Sequence, residues 1–197
     1  MNHLAHALLA GPDPDCRLGG MMGDFVRGAI DPSLAPGVRH GIVLHRAIDT
    51  YTDTHVAIVE ARALFEAPYR RYAGILIDIW FDHLLARSFD RWSAVPLPSF
   101  SGNLRQLLHD RWKELPPALQ RFNRYLDARR LPAAYAQREM IGEVLAGVGS
   151  RLTRSNPLAR GLVEISRLET ELDAIFARFF PQLRAFAESW RAARGLP

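Results

Sequence analysis

The sequence predicts an all-α protein, organised as one helical bundle over residues 1–197. Apolar residues recur at helical intervals of three and four positions nearly everywhere, and strand-like alternation is missing over any useful length. Prolines fall at the starts of the predicted helices or in the linkers between them. The predicted helices cover residues 2–10, 15–29, 36–51, 54–66, 69–91, 100–114, 116–129, 132–147, 157–179 and 181–194.

The two halves of the predicted bundle differ in character. Residues 100–197 are amphipathic, with apolar side chains at helical spacing and charged residues on the other faces, which is typical of helices that pack. Residues 1–91 carry most of the histidines and several acids in apolar surroundings, and 92–101 is a linker. Because a domain has roughly 150 residues, the chain is expected to be one domain with its functional centre in the first half.

Composition excludes several classes of protein. With 48% hydrophobic and 23% charged residues, the chain is not disordered, fibrous or a disulfide scaffold. Its one cysteine, Cys16, is typical of a reducing compartment. The first ten residues lack a basic targeting pattern, and the apolar run 72–86 is interrupted by Asp78 and Asp82 and is too short to span a membrane. We therefore expect a cytoplasmic protein that does not bind membranes.

The charge of the chain is modestly positive. Lysine and arginine total 25, aspartate and glutamate total 21, and the net charge is +4. Lys113 is the only lysine, so arginine dominates, through either genome composition or a need for its planar fork. An excess of this size is too small to indicate nucleic acid, but it is compatible with a strongly acidic protein partner.

The most apolar predicted helix contains two acids. Segment 72–86 reads YAGILIDIWFDHLLA, and Asp78, Asp82 and His83 are its strongly polar residues. Apolar residues on all sides indicate burial, and a carboxylate is rarely buried without a partner. Asp78 and Asp82 lie one turn apart on one face, so they require a metal ion or a buried arginine, unless the stripe is exposed. His83 is either a third ligand or a core histidine bonded to a backbone carbonyl.

The predicted helix 36–51 carries a second group of polar residues. His45 and Asp49 are four positions apart, a spacing that suits metal ligands and equally suits an intrahelical hydrogen bond. Arg46 lies beside them and is a candidate for phosphate binding, with a surface arginine as the alternative.

A glycine-rich segment and the start of the chain add further candidates. GGMMGDFVRG, residues 19–28, places Asp24 among four glycines, which indicates close packing or a backbone that must approach another group. Asp24 is expected to be buried, although a solvated loop aspartate is the alternative, and Arg27 could face the same centre. His3 and His6 are three positions apart, and we expect His6 to face the core.

One shared centre explains these residues more simply than three separate buried charges. A mixed oxygen and nitrogen donor set suits Mn²⁺, Mg²⁺, Fe or Zn²⁺ better than Ca²⁺. In a helical bundle, such a centre is typical of metal-assisted hydrolysis or oxygen chemistry. The sequence lacks the Glu-x-x-His signature of di-iron proteins, which disfavours oxygen chemistry.

Four segments, in this order and spacing, resemble the acyl carrier protein phosphodiesterase family: MNHLAHALLA at 1–10, GDFVRG at 23–28, GIVLHRAIDTYTD at 41–53 and DIWFDHLLA at 78–86. The second half of the chain resembles the family only in length and helical character. The resemblance implies removal of the 4′-phosphopantetheine arm from holo acyl carrier protein, through a metal-activated water that cleaves the phosphodiester to the carrier's serine. It also implies Mn²⁺, with Mg²⁺ or Fe²⁺ as alternatives, and an HD-domain-like bundle distantly related to the His-Asp metal phosphohydrolases.

The resemblance and the residue patterns together define the expected site. The expected metal ligands are His6, Asp24, His45, Asp49, Asp78 and Asp82. The expected catalytic residues are Asp24, His45, Asp78 and His83. The candidate substrate-binding residues are Arg27, Arg46, Arg70 and Arg71. The literal His-Asp dipeptide, His109-Asp110, lies in an amphipathic helix and is expected to be a solvated pair.

Two other functions remain open at this point. The first is a metal-dependent phosphohydrolase that acts on nucleotides or small phosphate esters. The second is a non-enzymatic helical adaptor, whose acids would pair with arginines instead of a metal ion.

Overall fold

The computed structural model describes residues 2–196, which form ten α-helices joined by short 3₁₀ turns and contain no β-strand. The all-α prediction is therefore confirmed. The helices are α1 (His3–Leu9), α2 (Pro14–Met22), α3 (Pro36–Thr54), α4 (Val56–Ala63), α5 (Ala73–Arg87), α6 (Leu97–Asp110), α7 (Pro117–Ala128), α8 (Arg138–Arg151), α9 (Gly161–Arg167) and α10 (Glu169–Ala192). None of the helices in this part of the chain is long and apolar enough to cross a membrane.

Helix α5 lies in the middle of the bundle, as its apolar sequence predicts. Its buried residues include Trp80, Phe81 and Leu85, each completely inaccessible to solvent. Helices from both halves of the chain, from α1 to α10, contribute side chains to one hydrophobic core. The second half therefore packs directly against the half that carries the candidate site.

Several helix boundaries differ from the predicted ones, and the largest differences lie at α2 and α10. Helix α2 ends at Met22 and passes into a 3₁₀ turn over Gly23–Phe25, although the pattern predicts a helix to residue 29. Helix α10 runs through Pro181, where the sequence predicts a break. Buried residues on both sides of this proline, among them Phe180 and Leu183, form one apolar stripe, and tertiary packing of that stripe outweighs the lost backbone hydrogen bond.

The tightest helix contact in the fold is the crossing of α2 and α3. A Cβ atom at Gly19 would lie 2.0 Å from the carbonyl oxygen of Val38, and a Cβ atom at Gly41 would lie 2.0 Å from that of Cys16. Both neighbours are backbone atoms, which cannot move without shifting a helix. The crossing therefore requires glycine on both helices, and it fixes α3 against the end of α2.

We expect Gly19→Ala and Gly41→Ala each to reduce the free energy of unfolding by about 3 kcal/mol or more, because overpacking at this crossing forces the backbones apart. Gly102→Ala is the matched control, since a Cβ atom at that position of α6 meets nothing within 4 Å. It should leave stability unchanged or raise it by roughly 0.5–1 kcal/mol. Urea unfolding of the three variants measures the difference, and equal stabilities would contradict the crossing.

Candidate metal centre and its cleft

Three side chains from two helices converge at one end of the α2–α3 crossing. They are His6 of α1 and His45 and Asp49 of α3, and each offers one ligand atom within 4.8 Å of the others. Nε2 of His6 lies 3.1 Å from Oδ1 of Asp49, and Nε2 of His45 lies 3.1 Å from Oδ2 of the same carboxylate. The two imidazole rings stack with their centroids 3.7 Å apart. We call these three residues the His-Asp cluster.

His6 owes its position to the anchoring of α1. The Asn2 side chain accepts a hydrogen bond from the backbone N–H of His3 at 3.0 Å. The carboxylate of Asp82, on α5, accepts the backbone N–H groups of Leu4 at 2.8 Å and Ala5 at 3.2 Å. These N–H groups lie in the first turn of α1, where backbone N–H groups have no acceptor within their own helix. Asp82 therefore ties the start of α1 to the centre of the bundle.

The end of α2 orients the ring of His45. The carbonyl oxygen of Gly20, in the last turn of α2, accepts a hydrogen bond from Nδ1 of His45 at 2.7 Å. This bond directs Nε2 of His45 towards the other members of the cluster. A Cβ atom at Gly23 would lie 2.1 Å from Cγ of His45, so only glycine leaves room for the ring there. The glycine-rich pattern thus marks a backbone that must approach a functional side chain.

The electrostatics of the cluster favour a bound cation. Burial lowers the pKa of His45, but hydrogen bonds to Asp24 and Asp49 outweigh it and raise that pKa to about 9. Burial opposes ionisation of Asp49 as well, yet its bonds to His45 and His6 hold the pKa of its carboxyl far below the usual range. Burial and the neighbouring His45 lower the pKa of His6 to about 4, so this ring is neutral. His45 is therefore protonated, and its Nε2–H lies between the carboxylates of Asp24 and Asp49.

The residues present fit a divalent metal ion. Nδ1 of His45 is already committed to a backbone carbonyl, which leaves Nε2 as its ligand atom, and second-shell bonds of this kind are usual for metal-binding histidines. Adjacent ligands of an octahedral ion at about 2.1 Å lie about 3 Å apart, close to the 3.1 Å that separates the Asp49 oxygens from both Nε2 atoms. Two imidazoles and a carboxylate are ligands that several divalent ions accept, so this donor set does not select the ion.

Asp24 lies at the edge of the cluster. Its Oδ1 accepts a hydrogen bond from Nε2 of His45 at 3.3 Å, and its side chain is 54% exposed. The expectation that Asp24 is buried is therefore corrected, because the 3₁₀ turn that follows α2 lifts it towards solvent. Burial would raise the pKa of Asp24, but the hydrogen bond and charge of His45 lower it to about 2. This carboxylate is ionised at neutral pH.

A cleft of about 570 Å³ opens beside Asp24. Side chains from the start of the chain, the 3₁₀ turn and helices α7 and α8 line it: His3, Asp24, Phe25, Ala118, Arg121, Phe122, Tyr125 and Arg151. Since Asp24 also contacts His45, the cleft adjoins the His-Asp cluster. We call it the Arg121–Arg151 cleft.

Among residues 2–196, α5 contributes no residue to the His-Asp cluster, although its sequence predicts ligands there. Both oxygens of Asp82 are used by the backbone of α1, and its side chain is fully buried, which corrects its expected role as a ligand. Asp78 is half-buried and is not among the converging ligand atoms. Nδ1 of His83 donates to the carbonyl oxygen of Tyr135 at 2.6 Å, which corresponds to the alternative of a core histidine. Within residues 2–196, three of the six expected metal ligands therefore converge on one centre.

The four arginines predicted to bind substrate do not line the cleft. Arg46 donates a hydrogen bond to the carbonyl oxygen of Val26 at 2.8 Å and so holds the segment that follows Asp24. Arg27, Arg70 and Arg71 are exposed. The cations that line the cleft come from α7 and α8 of the second half instead.

The dipeptide His109-Asp110 lies where the sequence predicts it. Both residues are exposed near the end of α6, and Oδ1 of Asp110 accepts a hydrogen bond from Gln106 at 2.7 Å. Neither belongs to the group of converging ligand atoms in the described chain.

Comparison with known proteins identifies the family. A family model described as "Acyl carrier protein phosphodiesterase" matches residues 1–183. The chain belongs to the acyl carrier protein phosphodiesterase family. A family member from Photorhabdus laumondii subsp. laumondii is 35% identical over 192 residues, covering 96% of each chain. One from Serratia proteamaculans is 35% identical over 184 residues, or 93% of this chain and 95% of its own. No solved structure matches the chain significantly.

The match to the acyl carrier protein phosphodiesterase family covers more of the chain than the sequence motifs do. The match to residue 183 includes α7 and α8, which line the cleft with Arg121 and Arg151. The sequence pattern does not distinguish these two residues from the other arginines. The chain has 24 arginines, and many of them lie on amphipathic helices as these two do. Arg121 and Arg151 are recognised only in the structure, because the cleft that they line forms when the helices pack.

Proposed function

We propose that the chain is a metal-dependent phosphodiesterase that hydrolyses holo acyl carrier protein to apo acyl carrier protein and 4′-phosphopantetheine. The observation that carries the proposal is the His-Asp cluster, which adjoins an open cleft, in a chain whose curated relatives are named acyl carrier protein phosphodiesterase. Phosphodiester hydrolysis needs a cation against the phosphate oxygens and a positioned water, and both needs are met by a metal site that solvent and substrate can reach.

The residues of the chain divide into ligands and supports. His6, His45 and Asp49 would hold the ion, and Asp24 would complete the site from the cleft side, since its carboxylate is ionised and half-exposed. When bound, a divalent ion supplies the Lewis acidity that activates water and neutralises charge on the phosphate. Gly20 orients His45 through its carbonyl oxygen. Serine and cysteine nucleophiles are not needed, and the single cysteine, Cys16, is buried.

We propose Mn²⁺ as the ion, with Mg²⁺ or Fe²⁺ as alternatives. A site of imidazole and carboxylate donors suits all three ions. We also propose that the enzyme acts in the cytoplasm, where a lone buried thiol such as Cys16 remains reduced.

The direct test measures the mass of holo acyl carrier protein after incubation with the purified enzyme and Mn²⁺. We expect loss of the 4′-phosphopantetheine mass and formation of the apo carrier, and chelation of the metal should stop the reaction. Nucleotides and small phosphate esters form the second arm of the experiment. Turnover of these compounds without turnover of the carrier would favour the alternative phosphohydrolase, and a pure protein that binds no metal would favour the adaptor.

The carrier is expected to dock on exposed arginines. Arg70 and Arg71 precede α5 and are exposed, and Arg71 lines a small surface pocket with Arg154. Acyl carrier protein is a small acidic protein, so opposite charges should accelerate encounter, and salt should screen them with a Debye length of about 10 Å at 0.1 M.

We therefore expect kcat/KM for the holo carrier to fall steeply between low and high salt, while kcat/KM for a small phosphodiester changes much less. Changing Arg70 and Arg71 to glutamate should raise KM for the carrier and leave the bound metal in place. Steady-state kinetics at several salt concentrations, with metal analysis of the variant, measure both effects. An identical salt response for carrier and small ester would contradict electrostatic docking.

A further inference from the structure

The Arg121–Arg151 cleft is lined by two exposed guanidinium groups and by one ionised acid, Asp24. Among residues 2–196, neither guanidinium forms an ion pair or a hydrogen bond with an acidic side chain. Arg121 comes from α7 and Arg151 from the end of α8, so two helices place like charges on one cleft. Like charges in one concave site repel each other, and a bound anion relieves this repulsion.

The remaining lining of the cleft is largely aromatic. The ring of Phe122 lies 5.8 Å from that of Phe25 and 4.4 Å from that of His3. Arg151 lies over the ring of Tyr125, with its guanidinium carbon 5.3 Å from the ring centroid. Burial lowers the pKa of His3 to about 4, so His3 contributes a neutral ring rather than a third cation. A slender ligand with one anionic group and an uncharged chain matches this surface.

The cleft has the size and position for such a ligand. Its volume of about 570 Å³ lies within the range of about 300–1,000 Å³ that is usual for pockets of small organic molecules. Asp24 belongs both to the cleft and to the contacts of His45, so the cleft adjoins the His-Asp cluster at this residue.

We propose that this cleft binds the 4′-phosphopantetheine arm of the carrier, with Arg121 and Arg151 contacting the phosphate oxygens and Phe122 and Tyr125 packing against the uncharged pantetheine chain. The inference rests on the proposed function, and it assigns substrate binding to the second half of the chain. The arm is narrow and tethered to a folded protein, so it can enter a cleft that the carrier itself cannot. Arg121 and Arg151 thereby add to the charge neutralisation that the metal site supplies.

The test uses free 4′-phosphopantetheine as the probe. Isothermal titration with the Mn²⁺-loaded enzyme measures its affinity for wild type, Arg121→Gln and Arg151→Gln. Each variant should weaken binding by about tenfold or more, since a hydrogen bond to a charged group contributes at least that much. The charge-preserving Arg121→Lys and Arg151→Lys should lose less. Metal content and thermal unfolding should match wild type in all four variants.

Arg124→Gln is the matched control. It removes the same charge from the same helix, but Arg124 is exposed over the ring of Trp112 and does not line the cleft. Its affinity for the probe should equal that of wild type. Equal affinities for Arg121→Gln, Arg151→Gln and Arg124→Gln would overturn the cleft assignment.

The outcome separates this inference from the proposed function. If wild type releases the arm from holo carrier but Arg121→Gln and Arg151→Gln behave like the control, the cleft assignment is wrong and the proposed function stands. If wild type leaves the holo carrier intact while the two arginines still determine affinity for the probe, the cleft assignment stands and the proposed hydrolysis is wrong.

Discussion

Asp49→Ala should lose at least about 100-fold in affinity for Mn²⁺ and a comparable factor in hydrolysis of the holo carrier. Asp49 is the one residue that contacts both histidines of the cluster, with one carboxylate oxygen 3.1 Å from each Nε2 atom. Removing a residue that hydrogen-bonds a metal ligand already lowers metal affinity by about 10–100-fold, so removing a ligand should lower it more. Metal affinity from titration and the mass of the carrier measure the two effects, and circular dichroism should show unchanged helicity.

Two control variants give this prediction its specificity. Asp110→Ala removes an exposed acid that follows a histidine and should leave metal binding and turnover within a few-fold of wild type. Asp78→Ala removes a half-buried acid that does not converge with the cluster and should retain the ion. Retained Mn²⁺ affinity in Asp49→Ala would refute the His-Asp cluster as the metal site. Loss of the ion in Asp78→Ala would instead show that the centre extends to α5.

The sequence carries enough information to place the two α3 residues of the candidate site together. His45 and Asp49 are four positions apart on an amphipathic helix, and that spacing alone places their side chains on one face. The preference for His6 over His3 follows from its apolar neighbours, and the structure buries His6 to 2% exposure. The spacing does not decide whether His45 and Asp49 form an intrahelical hydrogen bond or bind a metal ion. Because His6 approaches the same carboxylate from α1, the structure favours a metal ion.

In α5, the sequence pattern predicts the burial of an acid but not its partners. Its sequence correctly predicts that Asp82 is buried and requires partners, since a buried carboxylate without partners is very unfavourable. The residue types alone indicate a metal ion or an arginine as that partner. The actual partners are backbone N–H groups of Leu4 and Ala5, which have no side-chain signature and lie more than 75 positions away along the chain. Long-range contacts to backbone groups cannot be inferred from residue types alone.

Asp82→Ala should reduce the free energy of unfolding by about 2–4 kcal/mol. The substitution leaves two buried backbone N–H groups at the start of α1 without acceptors, and each such group costs about 1–3 kcal/mol. Because α1 carries His6, the variant should also bind Mn²⁺ more weakly. Asp82→Asn keeps one acceptor oxygen and should lose less stability. Urea unfolding measures the series, and wild-type stability in Asp82→Ala would show that the anchor is not needed.

The Asp82 anchor should also respond to pH. Burial raises the pKa of this carboxyl to about 7, although the N–H groups of Leu4 and Ala5 act to lower it. An unfolded aspartate has a pKa of about 3.9, so between about pH 4 and pH 7 the folded protein holds a proton that the unfolded chain has released. The contribution of Asp82 to stability is therefore greatest near pH 4, falls as the pH rises to about 7, and is constant above. Other groups titrate in this range, so the quantity to measure is the difference in unfolding free energy between wild type and Asp82→Asn. That difference should decrease from pH 5 to pH 8. A difference that stays constant over this range would contradict the prediction, because it would mean that Asp82 is already ionised in the folded protein at pH 5.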